Sequence, residues 1–211
     1  MPLQNRVAPT GEIIKSSERG TLMGNRGGAM HNAHKELVSV SKTTRWITCR
    51  LEFKGRKREL MSEGLYTELF FLDEATAFAA GHRPCAECRR ERFNEFKTKW
   101  LEVNSDLLDG KYTGIGDIDK IMHTQRIDKQ KKVTFEAPGN TLPDGTMISM
   151  GNESYIVWKN RLYLWSFSGY TSSNTAINNE TVTVLTPKSY VEMFRHGFTP
   201  IVHDSLGKAD A

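Results

Sequence analysis

An α+β fold is predicted from three features of the sequence. Residues 45–103 mix short alternating segments with two helical ones around a Cys-x-x-Cys turn. Residues 133–185 carry only strand-length apolar runs, broken by Asp144-Gly145, Gly151-Asn152 and Lys159-Asn160. No heptad, internal repeat or long apolar run competes with this pattern. The chain has 211 residues, enough for one domain, or a domain with a subdomain, that buries its own core.

The elements follow in order. Residues 1–20 are polar, carry Pro2, Pro9, Gly11 and Gly20 and show no period, so they read as a flexible arm. Residues 20–35 are glycine-rich, with Gly24, Gly27 and Gly28 before His31 and His34. They read as backbone turns or as a loop approached by a ligand, without phosphate-loop spacing. Over 45–61, Ile47, Cys49, Leu51 and Phe53 alternate with Thr48, Arg50 and Glu52, and Lys54-Gly55 supplies a turn. This is a β-hairpin with Cys49 on the apolar side and basic residues at its tip. Residues 66–72 make a strand. Asp73 N-caps a short Ala-rich helix from Glu74 to Ala80, which Gly81 closes. After the turn at 82–88, a helix runs over 89–103, with Phe93, Phe96, Trp100 and Leu101 in one stripe. A short helix spans 117–127. Strands are predicted at 133–136, 146–150, 154–158, 161–167 and 181–185. A last helix opens at Thr186-Pro187 and ends at Gly197, before a strand at 201–203.

The sharpest local signal is Cys85-x-x-Cys88. Such a turn puts two sulfurs on one side of a small loop, where backbone amides reach them, and forms half of a tetrahedral Zn2+ site. Cys49 is the third cysteine, and His31 or His34 is the expected fourth ligand; His82 lies too close in sequence for easy geometry. Reactive or redox thiols, and unligated thiols, are the alternatives. The fold class is therefore α+β, with a zinc-knuckle subdomain over 21–132 and a β-rich C-terminal half over 133–211 packed against it.

Residues 66–90, YTELFFLDEATAFAAGHRPCAECRR, resemble the second half of the zinc-binding N-terminal domain of Ada-type DNA-repair proteins. Phe70-Phe71, Glu74-Ala75, Ala79-Ala80-Gly81 and Arg83-Pro84-Cys85-x-x-Cys88 match in order, with His82 replacing an aromatic residue. The resemblance implies zinc held by four thiolates and, in members that repair DNA, a zinc-bound thiolate that accepts a methyl group from a phosphotriester. The family's upstream Cys-x-x-x-Cys window falls on 54–58, which has no cysteine, so Cys49 is the one residue left for that role.

Charge points to a polyanion. Residues 1–135 hold 24 Lys and Arg against 18 Asp and Glu, whereas 136–211 hold 5 against 7. Lys54, Arg56, Lys57 and Arg58 at the hairpin tip, with Arg89 and Arg90 after the knuckle, are the expected nucleic-acid contacts, to DNA before RNA. A solubilising face is the plainer reading of the same charges. Asp119 and His123 are four apart on one helix, and with Cys49 they are the catalytic candidates of a DNA-processing or repair enzyme; a solvated polar face explains them equally. Trp158, Tyr163, Trp165 and Tyr170 either stack on bases or pack a core. His196 and His203 have no ligand spacing. A third reading is a zinc-stabilised protein-interaction module. No membrane segment or export signal is legible, so a cytoplasmic protein with reduced thiols is expected.

Overall fold

The computed structural model describes residues 1–55, 57, 59–110 and 112–209. Two six-stranded sheets face a set of helices contributed by both halves of the chain. The front sheet is built from β1 (Gln4–Val7), β2 (Ile13–Lys15), β3 (Leu22–Asn25), β4 (Ile47–Cys49), β5 (Leu69–Phe71) and β6 (Arg83–Pro84), in the order β2-β1-β5-β3-β4-β6. Helix α1 (Glu74–Ala79) follows β5, α2 (Arg90–Asn104) follows the cysteine turn, and α3 (Ile115–Arg126) leads into the small ribbon β7 (Ile127–Asp128) and β8 (Lys131–Lys132).

The back sheet is fully antiparallel. It comprises β9 (Phe135–Pro138), β10 (Met147–Met150), β11 (Glu153–Trp158), β12 (Arg161–Ser166), β13 (Gly169–Ser172) and β14 (Thr181–Val184), in the order β13-β12-β11-β10-β14-β9. Helices α4 (Lys188–Arg195) and α5 (Ser205–Ala209) close the chain. The mixed α+β class and the β-rich second half stand as expected.

The stripe read from α2 is buried: Phe96 and Trp100 pack with Phe78 of α1, Ile118 and Met122 of α3, and Tyr190 and Met193 of α4. α1 also faces the other way, where Ala75 and Ala79 meet Met147, Ile156, Tyr163 and Tyr170. Its N-cap is the predicted Asp73, whose Oδ1 accepts from the Thr76 amide at 2.8 Å. Asp73 Oδ2 accepts from the Tyr170 hydroxyl at 2.8 Å and from the His203 amide at 2.9 Å, so the cap ties the front helix to the far end of the chain. Glu74 does the same: its Oε2 accepts from the Ile201 amide at 3.0 Å.

Several expectations are corrected. Residues 1–20 are not an arm: β1 and β2 pair with each other, β1 lies parallel to β5, and Asn5 and Val7 are fully buried. The strands were too short to show a period. The hairpin over 45–61 does not form among the described residues. β4 pairs instead with β3 and β6, and the alternation stops at Cys49: Thr48 is buried while Leu51 is exposed. The expected strand at 201–203 is extended chain without ladder partners, held by Asp73 and Glu74, and α5 follows it. β13 went unread because Gly169-Tyr170-Thr171-Ser172 is too polar to look like a strand.

Candidate metal centre

Strand register brings the three cysteines together. β4 and β6 run parallel, with Ile47 opposite Arg83 and Thr48 opposite Pro84, so the next residues on each strand are Cys49 and Cys85. The Cys85 amide donates to the Thr48 carbonyl at 2.9 Å and holds this register. The chain then turns back on itself: the Arg89 amide donates to the Cys85 carbonyl at 3.1 Å, and the Glu87 amide to Cys85 Sγ at 3.4 Å. The three sulfurs of Cys49, Cys85 and Cys88 lie within 4.8 Å of one another, and all three thiols are free. Cys49 and Cys88 are buried and Cys85 is half-buried.

The shared protons make the thiols unequal. Hydrogen bonds from Cys49 and Cys88, with backbone amides behind them, hold the Cys85 thiol far below its ordinary value. Cys49, the donor to both neighbours and largely buried, is pushed up. The cluster thus favours a thiolate at its centre, which suits a cation.

Below the sulfurs lies a layer of buried ion pairs. Arg83 makes a two-pronged bond to Asp119, Nε to Oδ1 and Nη2 to Oδ2, each 2.7 Å. Arg89 Nη1 donates to Thr48 Oγ1 at 2.8 Å and Nη2 to Glu74 Oε1 at 2.6 Å. Arg92 Nη2 donates to Glu74 Oε2 at 2.7 Å. These pairs tie β6 to α3, and β4 and the start of α2 to α1, and so hold the segments that carry the cysteines.

The other candidates fall elsewhere. Among the described residues, no histidine or carboxylate joins the three sulfurs. His31 is buried with both ring nitrogens engaged, Nδ1 with Thr67 Oγ1 at 2.7 Å and Nε2 with the Ser62 carbonyl at 3.2 Å; His34 is exposed. Asp119 is committed to Arg83. His123 lies edge-on to Trp46, its pKa lowered by burial and by Arg126, and is not paired with Asp119. Arg89 points inward to Glu74 and is no surface contact, whereas Arg90 is exposed. Lys54 is exposed beside Glu87 at 3.4 Å, and Lys57 is exposed; Arg56 and Arg58 lie outside the described residues. Tyr163 and Tyr170 are core residues, and Trp165 Nε1 donates to Thr76 Oγ1 at 3.0 Å, so this aromatic run packs the back sheet. Sequence reasoning left Arg50 out of the site. It follows Cys49 directly, its amide reaches the Cys88 sulfur, and with Arg90, Arg92, Glu87 and Glu91 it lines a cavity of about 390 Å³ against Cys88.

No helix is long and apolar enough to cross a membrane among the described residues. Comparison with protein-family models, with curated proteins and with solved structures gives no match.

Proposed function

We propose that Cys49, Cys85 and Cys88 hold Zn2+ and that the protein engages nucleic acid, DNA before RNA, at the cationic rim of this site. The observation that carries the reading is three thiols within 4.8 Å beside a cavity whose wall carries exposed Arg50 and Arg90 together with Glu87 and Glu91. The donor set fits: three soft sulfurs from two chain segments, a low-pKa thiol at the centre, and backbone amides supporting it are what zinc takes. Cys49 anchors the metal to β4, and Cys85 and Cys88 clamp it from the turn. Arg50 and Arg90 on its wall, and Lys54 beside Glu87, present exposed charge for phosphate oxygens, and Lys57 adds exposed charge on the same segment as Lys54.

Elemental analysis should give about one zinc per chain, lost in Cys85→Ala. Binding of mixed-sequence DNA should weaken with salt, and neutral replacements at Arg50, Lys54, Lys57 and Arg90 should flatten that dependence. Unchanged binding at every salt concentration defeats the nucleic-acid half of the reading. Absence of metal defeats the other.

One observation favours a second reading, a DNA-processing or repair enzyme. Three thiols without a fourth donor among the described residues suit a metal with one position for water or substrate. Half-buried Cys85, rather than Cys49, is then the thiolate within reach of substrate. Metal-dependent strand cleavage, or methylation of Cys85 by methylphosphotriester DNA, distinguishes this from binding alone.

A further inference from the structure

Behind the front sheet, away from the thiols, three cations converge without a carboxylate. Arg26 and Arg126 are each 2 % exposed, and their guanidinium carbons lie 4.1 Å from the Trp46 ring centre. Lys132 of β8 reaches the Ala79 carbonyl. Arg26, Trp46, Arg126 and Lys132 line one cavity of about 850 Å³, whose walls include Gln130 and Lys131.

The partners of these cations are neutral. Arg26 donates to the carbonyls of Gly11 at 2.8 Å and Val40 at 3.3 Å, and to His82 Nε2 at 3.3 Å. Arg126 donates to the Gly81 carbonyl at 2.7 Å and to that of Thr44, while its Nε has no partner. The nearest acids are otherwise engaged. Asp119 is held by Arg83, and Glu12, on the cavity wall, is exposed and bonded to Thr10 at 3.3 Å.

Capping the carbonyl end of α1 accounts for part of this arrangement. A helix end supplies only about half a negative charge, however, against three positive ones. Mutual repulsion and burial show the imbalance: burial first, then the neighbouring arginines, brings the Lys132 ammonium down to about 7, and burial with Arg126 brings Arg26 to about 9.

We propose that this cavity binds a phosphate group, read by charge. Both guanidinium groups rest on Trp46, so the ring holds the cations and is not a platform for a base. The volume admits a phosphate with an organic substituent. The phosphate comes from a free phosphomonoester or from a nucleic-acid backbone. The site is separate from the metal centre and does not depend on it.

The test is thermal unfolding and calorimetry of the full chain with inorganic phosphate, a mononucleotide and a 12-nucleotide single strand, each against chloride at equal ionic strength. Phosphate or mononucleotide should raise Tm, with Kd weakened at least tenfold in Lys132→Met and unchanged in Lys208→Ala, an exposed lysine outside both sites. A response to the oligonucleotide alone, lost in Lys132→Met, assigns the phosphate to a nucleic-acid backbone. No response beyond chloride in any arm, or an equal response in Lys132→Met, overturns the proposal. Lys132 is partly exposed, so Lys132→Met should fold. Arg26→Lys, keeping charge without the fork, should retain part of the affinity.

Discussion

The two sheets solve burial in opposite ways. Of the 18 buried polar or charged residues among those described, 15 precede residue 133, including every charged one. The front sheet has strands of two to four residues, paired both parallel and antiparallel, and its interior is organised by Arg83–Asp119, by Glu74 with Arg89 and Arg92, and by Arg26 and Arg126. The back sheet is antiparallel throughout, and its buried faces carry Ile148, Ile156, Val157, Leu162, Val182 and Val184. A buried ion pair stabilises weakly against a hydrophobic replacement, yet losing one partner is severe. The front half therefore trades tolerance for position, which is what a site needs, and the back half supplies the packed support.

The largest effect should come from Glu74→Ala, which leaves buried Arg89 without a carboxylate and takes one of two from Arg92, which keeps Glu95. A loss of about 3–5 kcal/mol in urea unfolding is expected. A loss below about 1 kcal/mol would mean that the front half does not rest on its ion pairs. In the back sheet, Ile156→Ala should cost about 2–5 kcal/mol through a cavity, while Ile156→Val costs about 1. If Glu74→Ala cost clearly less than Ile156→Ala, the contrast between the halves would blur.

A pH titration sharpens it further. Burial, then Arg26, holds His82 well below its ordinary value near 6.5, and His123 shifts the same way. Between the folded value and about 6.5 the unfolded chain binds more protons, so stability rises with pH and is lost on acidification from pH 7 towards 5. His82→Gln should shallow that slope by up to about 1.4 kcal/mol per pH unit; an unchanged slope assigns the acid sensitivity to other groups. The smallest change is expected at Lys54→Ala. The Lys54–Glu87 pair is exposed, so the stability cost should stay under about 1 kcal/mol.

Legibility in the sequence follows the same divide. The Asp73 cap, the α2 stripe and the back-sheet strands could be read because each depends on neighbours within a few residues. The cysteine turn was legible for that reason too. Its meeting with Cys49 rested on there being no other cysteine, and the parallel β4–β6 pairing is what brings it about. Asn5 and Val7 gave no signal, since a four-residue strand cannot show a period. Arg26 and Arg126 stand 100 residues apart in ordinary polar contexts, and nothing local marks either as buried. His31 looked like a ligand because histidine near cysteine usually invites that reading; Thr67 and Ser62, which occupy its nitrogens, are far along the chain.

The carboxylates at the start of α1 set a timetable for synthesis. Glu74 and its Ile201 amide are 127 residues apart, and Asp73 waits for the amide of His203. At about 5–20 residues per second, a ribosome needs roughly 6–25 seconds to make the stretch between them. During that interval the nascent front half holds two acidic side chains whose final partners do not yet exist, although Arg89 and Arg92 have already been made. Strands of the front sheet can pair in this period, but the seal over α1 closes only once residues 201–203 are delivered. A chain stopped before residue 201 would lack both of these amides at the acidic end of α1.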